Sequence, residues 1–393
     1  MKIRKARGLG GKEPLPVDLL MVSHVDDDHI QGILDLTREL ITAKKDSALQ
    51  PVQVFSLWHN SFDNLIGNSP DELTAAFKSQ FGAASMAGEL PDDVTIDADD
   101  QDLEEETIVS TLKVLASIEQ GSQLRSDAES LAAESMGFER NPEYDGKLII
   151  ATEENSEALD MGEGLKFTVV GPMVPELEKL HKKHEEWLIA LKKKGKSPPE
   201  ALAAYVDKSV PNLASIVVLA EFGDKRILLT GDARGDKILE GLEFVGLLKK
   251  KGKMHVDLLK VPHHGSANNL DDDFFERITA DHYVFSGDGE HGNPERESLQ
   301  MLLDARGDAD YTIHITYPID DIDVERKKDW EKEQTKEKNK KKKNPDKKVR
   351  ANWSRKKHSL SALFDDNEDF AKKVRIVEVD EPHVVNLLEE VGF

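Results

Sequence analysis

The stretch Ser23-His24-Val25-Asp26-Asp27-Asp28-His29-Ile30-Gln31-Gly32 places two histidines and three aspartates within six positions. Imidazole nitrogen and carboxylate oxygen are the donors that hold Zn²⁺, Mn²⁺ or Fe, and such a cluster is a poor design for a core. From a loop, the spacing His-x-Asp-x-Asp-His would let His24, Asp26 and Asp28 point together, with His29 brought in by the turn towards Gly32. A solvated acidic turn after a strand is the plainer reading of the same residues. The cluster follows an apolar run of strand length at 17–22, so it sits where a buried strand reaches the surface.

Later strand ends carry further candidates. Asp232 follows Leu228-Leu229-Thr230-Gly231, and His263 and His264 follow the apolar run 256–261, with Gly265 permitting close backbone approach. Lys260 and Ser266 flank that pair and could contact an anionic group; otherwise they are a solvated lysine and a turn serine. His59, with Asn60, ends an expected strand at 52–58 and is either a substrate contact or a capping or surface histidine. His291 and Asn293 lie in the turn before Pro294.

These segments, in order, resemble the metallo-β-lactamase-fold hydrolases. His24-Val25-Asp26-Asp27-Asp28-His29 matches their first motif, Asn212-Leu213-Ala214-Ser215 their Asn-x-x-Ser strand, Gly231-Asp232 their Gly-Asp turn, and His263-His264-Gly265-Ser266 their His-His-Gly-Ser turn. The aspartate at the third motif position is similar to one branch, the hydrolase domain of bacterial competence DNA-uptake channel proteins and its free-standing relatives. The resemblance implies an α/β fold, the metallo-β-lactamase-like αββα sandwich, holding one or two divalent ions. Its ligands would be His24, Asp26, Asp28, His29, Asp232 and His264 or His263. Asp28 would also orient a metal-bound hydroxide, the other of His263 and His264 would contact substrate, and His291 and Asn293 occupy the place where the branch often has a Gly-His-Pro turn. Asp26, where many relatives have histidine, hardens the site, so Mn²⁺ competes with Zn²⁺.

Two departures accompany the likeness. Only about sixteen residues precede the first strand, so either the true start lies upstream, or the sandwich lacks some N-terminal strands and its exposed edge is covered by something else, such as a partner chain. The mid-chain turn Gly171-Pro172 offers no ligand histidine, and His181 and His184 fall on a charged helical stretch at 176–194 that reads as solvent-exposed, so one metal rather than two is possible.

The expected activity is hydrolysis by a metal-bound hydroxide, of a phosphodiester or nucleic acid first, of a small ester, lactone or amide second. A third reading is a non-catalytic hydrolase-fold subunit of a complex. The 393 residues carry 53 Lys and Arg against 76 Asp and Glu, a net charge of −23, so nucleic acid would have to be met locally. The lysine-rich stretch 326–357, with four consecutive lysines at 340–343, is the region that could do so; a solvated helix or disordered run is the alternative. Cysteine is absent, which excludes disulfides and thiolate sites and fits a reducing cytoplasm. No apolar stretch reads as a signal peptide or membrane span.

The elements that must position these groups read as strands at 148–151, 165–170, 216–221, 226–230, 283–286 and 374–379, besides those already given. Helices are expected at 33–44, 104–118, 124–136, 236–250, 294–303 and 383–388. Residues 1–318 would form the metallo-β-lactamase-like domain, with an acidic helical insertion at 69–142 that either roofs the site or elaborates the surface. Residues 319–358 would be a lysine-rich linker or loop, and 359–393 would return to the body.

Overall fold

The computed structural model describes residues 8–10, 13–60, 120–154, 156–175, 215–271, 273–378 and 383–388. The chain divides into two compact units, one of residues 1–155, 171–216 and 392–393, the other of 156–170 and 217–391. The expected helices at 104–118 and 176–194, with His181 and His184, and the segment Pro211-Asn212-Leu213-Ala214 lie outside the described residues.

In the first unit, β1 (Leu15–Val22) and β2 (Val52–His59) pair in parallel, and β3 (Glu139–Arg140) adds to β2. Between β1 and β2 runs α1 (Asp27–Lys45), which buries Ile30, Leu34 and Leu40. A second helix, α2, spans 120–133 and adds Leu124, Ala128 and Leu131 to the same cluster. A buried hydrogen bond of 2.7 Å from Thr37 Oγ1 to Asp127 joins the two helices. Of the expected acidic helical insertion at 69–142, residues 124–138 thus pack into the core of this unit. The expected strand 148–151 is a single bridge from Ala151 to Met173. Asn60 takes the place of a strand neighbour: its amide donates to the Ile149 carbonyl and accepts from the Ile149 N–H.

The second unit is an eight-stranded sheet, in the order β11-β10-β9-β8-β7-β6-β5-β4. Its strands are β4 (Leu159–Gly162), β5 (Leu165–Gly171), β6 (Val217–Phe222), β7 (Lys225–Leu229), β8 (Met254–Lys260), β9 (Ile278–Phe285), β10 (Thr312–Ile315) and β11 (Val374–Ile376). From β7 to β11 the strands run parallel, while β4/β5 and β6/β7 are antiparallel hairpins. The helices α3 (Gly235–Phe244) and α4 (Arg296–Arg306) bury Leu239, Leu242, Leu299 and Leu302 in one cluster with Val256, Leu259, Tyr283 and Phe285. Sequence periodicity extends the first of these helices to 250, but Gly246, at φ +77°, takes the left-handed conformation that ends it.

Of residues 319–358, expected as a lysine-rich linker or loop, the first part is helical. Ile319–Lys343 forms one helix, α5, with acidic residues in its first turn and lysines towards its end, as the helix dipole favours. It packs through Ile322, Arg326, Trp330 and Gln334, spaced four apart along one face. Arg326 donates to the Gly292 and His358 carbonyls, Trp330 stacks on His358 with ring centroids 4.2 Å apart, and Gln334 binds the Arg350 carbonyl. The expected helix at 383–388 is absent; those residues are irregular.

Candidate metal centre

Each unit carries its own group of donors at strand ends. In the first unit α1 begins at Asp27, inside the motif, with Asp26 as N-cap, so the predicted ligand loop is shorter than the spacing suggests. The Asp26 carbonyl accepts from His29 N–H at 2.9 Å and Ile30 N–H at 3.0 Å. Asp27 and Asp28 occupy the first turn, where the partial positive charge of the helix end favours carboxylates. Val25, 5 % exposed, and the hydrogen bond from Ile216 N–H to the Ser23 carbonyl at 2.8 Å hold the segment between β1 and α1.

His24 and His29 lie side by side, ring centroids 4.1 Å apart. Ser23 Oγ is 3.1 Å from His24 Nδ1 and 3.3 Å from His29 Nδ1. A hydroxyl has two lone pairs, so this oxygen can accept an N–H from both rings and turn both Nε2 lone pairs outward. Those Nε2 atoms face carboxylates: His24 Nε2 is 3.6 Å from Asp26 Oδ2, and His29 Nε2 is 3.7 Å from Asp28 Oδ2.

In the second unit β7, β8 and β9 end along one edge of the parallel array, where open α/β sheets bind their ligands. Thr230, buried after β7, donates to the Lys260 carbonyl at 2.7 Å, and His263 N–H donates to the Gly231 carbonyl at 3.2 Å. The two turns are thereby tied together. Asp232 is 3 % exposed; its Oδ2 lies 3.4 Å from His264 Nε2 and 3.8 Å from His263 Nε2, and its Oδ1 lies 3.9 Å from Lys260 Nζ. His263 and His264 both adopt positive φ, at 47° and 54°. Such backbone costs free energy and persists where the surroundings fix it. Gly265 follows at φ +86°, where a Cβ would sit 2.6 Å from the Phe285 ring.

His264 Nδ1 is 2.9 Å from the Ser286 carbonyl at the end of β9. A carbonyl only accepts, so Nδ1 carries the proton and Nε2 offers its lone pair on the side of Asp232. The sequence leaves open which of His263 and His264 would be the ligand; this contact fixes the tautomer of His264. Glu295 braces the same turn: Oε2 accepts from Ala267 N–H at 2.6 Å, and its own N–H donates to the Gly265 carbonyl at 3.0 Å. Ser23, Ser286 and Glu295 are the positioning residues that spacing arguments pass over. Their signal is only adjacency to ligand-type residues.

The remaining predicted residues stand differently. His59 is fully buried, its Nε2 directed at the Gly121 carbonyl at 3.3 Å and its N–H at Asn141 Oδ1, so it is not the surface histidine that one reading of the sequence offers. Ser266 is buried, and its N–H closes the turn onto the His263 carbonyl at 2.9 Å. His291 is exposed, on a turn that α5 holds through Arg326 and the Gly292 carbonyl. Asn293 is 8 % exposed, with Oδ1 lacking a hydrogen-bond partner among the described residues.

No family model matches the chain. Among curated proteins it is 37% identical over 75 residues to microtubule-associated protein 1A of Rattus norvegicus, covering 19% of this chain and 3% of that protein. The human protein of that name matches to the same extent, and microtubule-associated protein futsch of Drosophila melanogaster is 38% identical over 77 residues, covering 18% of this chain and 1% of its own length. The chain thus spans 3% or less of the curated relatives it matches.

Proposed function

We propose that this chain is a metal-dependent hydrolase of the metallo-β-lactamase type, acting first on phosphodiesters. The observation that carries the reading is the His264 tautomer: with Nδ1 committed to the Ser286 carbonyl, Nε2 is a ready ligand beside the Asp232 carboxylate. Asp232 and His264 in the second unit, and Asp28 and His29 in the first, each pair a carboxylate with an imidazole, a donor set that suits Zn²⁺ or Mn²⁺. His24 and Asp26, in contact at 3.6 Å, are the further candidate donors if a second ion binds. The finer fold, an αββα sandwich, belongs to this proposal and stands or falls with it.

A divalent cation held there supplies Lewis acidity and a water of pKa about 7. The chain's own residues do the rest. Asp28, exposed at the start of α1, can accept a proton from the attacking water. Lys260 Nζ, 3.4 Å from the Gly231 carbonyl, brings positive charge to the Asp232 turn and can offset charge on a phosphoryl oxygen. His263 can hydrogen-bond the substrate from the same turn. Exposed lysines of α5 and the loop after it, such as Lys338, Lys341, Lys347 and Lys348, would meet a nucleic-acid backbone that the overall charge repels. β1, at one end of the three-stranded sheet, would be the edge for a protein partner. No helix among the described residues is long and apolar enough to cross a membrane. The absence of cysteine suits a reducing compartment such as the cytoplasm. The likeness to microtubule-associated proteins is too short to bring their partner to this chain.

Incubating Mn²⁺- or Zn²⁺-loaded protein with bis-p-nitrophenyl phosphate and with labelled DNA tests the reading. Turnover abolished by chelation and by His264→Ala is expected. Turnover of a carboxylic ester or lactone alone would move the substrate class to the second reading. A metal-free protein without turnover of any of these would replace the hydrolase with a non-catalytic subunit.

A further inference from the structure

Three histidines outside that site form a chain of ring-to-ring contacts in the second unit. His282 lies on β9 and His314 on the neighbouring parallel strand β10, with Thr312 opposite His282 and His314 opposite Val284. His282 Nδ1 is 3.0 Å from His314 Nε2, and His314 Nδ1 is 2.7 Å from His383 Nε2. His383 belongs to the segment 383–388, which has no helix or strand of its own. His314 is 6 % exposed and spends both ring nitrogens on other imidazoles.

A neutral imidazole has one donor and one acceptor nitrogen, so three neutral rings join head to tail, each donating to the next. One added proton can be accommodated, because an imidazolium donates from both nitrogens to neighbours that accept. A second cannot: two charged rings in the chain set donor against donor at one N···N contact and place like charges side by side. We propose that the His282–His314–His383 chain is a pH-sensitive latch that holds the 383–388 segment over β9 and β10 of the eight-stranded sheet at neutral pH and releases it on mild acidification.

The surroundings support the direction. Burial first, then His383, His282 and Arg375 on β11, push the His314 ring down to about 4. Burial also lowers His282, against the Asp281 and Asp257 carboxylates that pull it up. His255 on β8 is 3.3 Å from Asp281 and shares that charge. A histidine depressed in the folded state contributes stability that is complete above its ordinary value, about 6.5, and is lost as pH falls from there towards the folded value. The latch therefore weakens between about pH 6.5 and 4. Val384, at 39 % exposure, and Leu388, at 60 %, ride on the segment.

Hydrogen–deuterium exchange of the intact protein at pH 7.5 and 5.0, corrected for the intrinsic rate, tests the latch. In the wild type, amides of 383–388 are expected to exchange at least about tenfold faster at pH 5.0. In His383→Ala they are expected to exchange rapidly at both values. Equal protection of the wild type at both pH values, or a His383→Ala variant that keeps wild-type protection, would overturn the proposal. ¹⁵N spectra of the wild type give a reading that depends on no variant. Couplings across N–H···N bonds between His282 and His314 and between His314 and His383 should be present at pH 7.5 and lost at 5.0; their absence at pH 7.5 would overturn it too.

Discussion

His264 gives its Nδ1 proton to the Ser286 carbonyl at 2.9 Å, which aims its Nε2 at the buried carboxylate of Asp232, 3.4 Å away. His263 Nε2 stands farther from the same oxygen, at 3.8 Å. The two adjacent histidines are therefore expected to differ in function. His264→Ala is expected to weaken Mn²⁺ or Zn²⁺ binding at least about 100-fold, and His263→Ala to leave it within about tenfold while lowering turnover. Calorimetric titration of each variant with metal checks this. Equal losses would remove the distinction.

Ser23 serves the first unit as Ser286 serves the second. Its hydroxyl bridges the Nδ1 atoms of His24 and His29 at 3.1 and 3.3 Å. Ser23→Ala leaves both rings in place without the hydroxyl that lies between their Nδ1 atoms. Metal affinity is expected to fall about 10- to 100-fold with the melting temperature nearly unchanged. Ser23→Thr, which keeps the hydroxyl, should recover most of it.

Two glycines predict opposite signs. A Cβ on Gly241 of α3 would lie 2.1 Å from the Val170 carbonyl of β5, so the helix could not keep its approach to the sheet. Gly241→Ala is expected to cost about 2–4 kcal/mol in denaturant unfolding. Gly32 on α1 has nothing within 4 Å of that position. Gly32→Ala is expected to gain about 0.5–1 kcal/mol through helix propensity.

Burial raises the Glu295 carboxyl above its ordinary range, and the Ala267 N–H opposes that rise. A carboxyl raised on folding contributes stability below its unfolded value and loses it as pH climbs through the folded one. Glutamine keeps an acceptor for Ala267 without the charge. The stability of Glu295→Gln relative to wild type should therefore increase from pH 4 to pH 7.5, as urea unfolding at the two pH values would measure. A pH-independent difference would contradict the assignment.

What the sequence reveals depends on which force shapes each element. β1, β2 and β5 to β9 stand out because apolar runs of strand length end at Gly, Pro or charge. β10, only Thr312–Ile315, is too short to register and exists because β9 and β11 flank it. α5 escapes apolar periodicity because its packed face consists of Ile322, Arg326, Trp330 and Gln334, held by hydrogen bonds and ring stacking more than by hydrophobic burial. The strand expected at 148–151 fails for a related reason, since a side-chain amide from Asn60 satisfies Ile149 in place of a neighbouring strand. At the candidate site, residues of ligand type and their order are readable from residue identity. Tautomers are not: the role of Ser286 depends on β9 ending beside the His264 turn, a matter of sheet order.

That this chain binds a divalent ion at the Asp232–His264 turn is tested most directly by anomalous diffraction from crystals grown with Mn²⁺, collected at the manganese edge. A peak within bonding distance of His264 Nε2 and the Asp232 carboxylate is expected. No peak at saturating metal, or one bonded to neither residue, would contradict it.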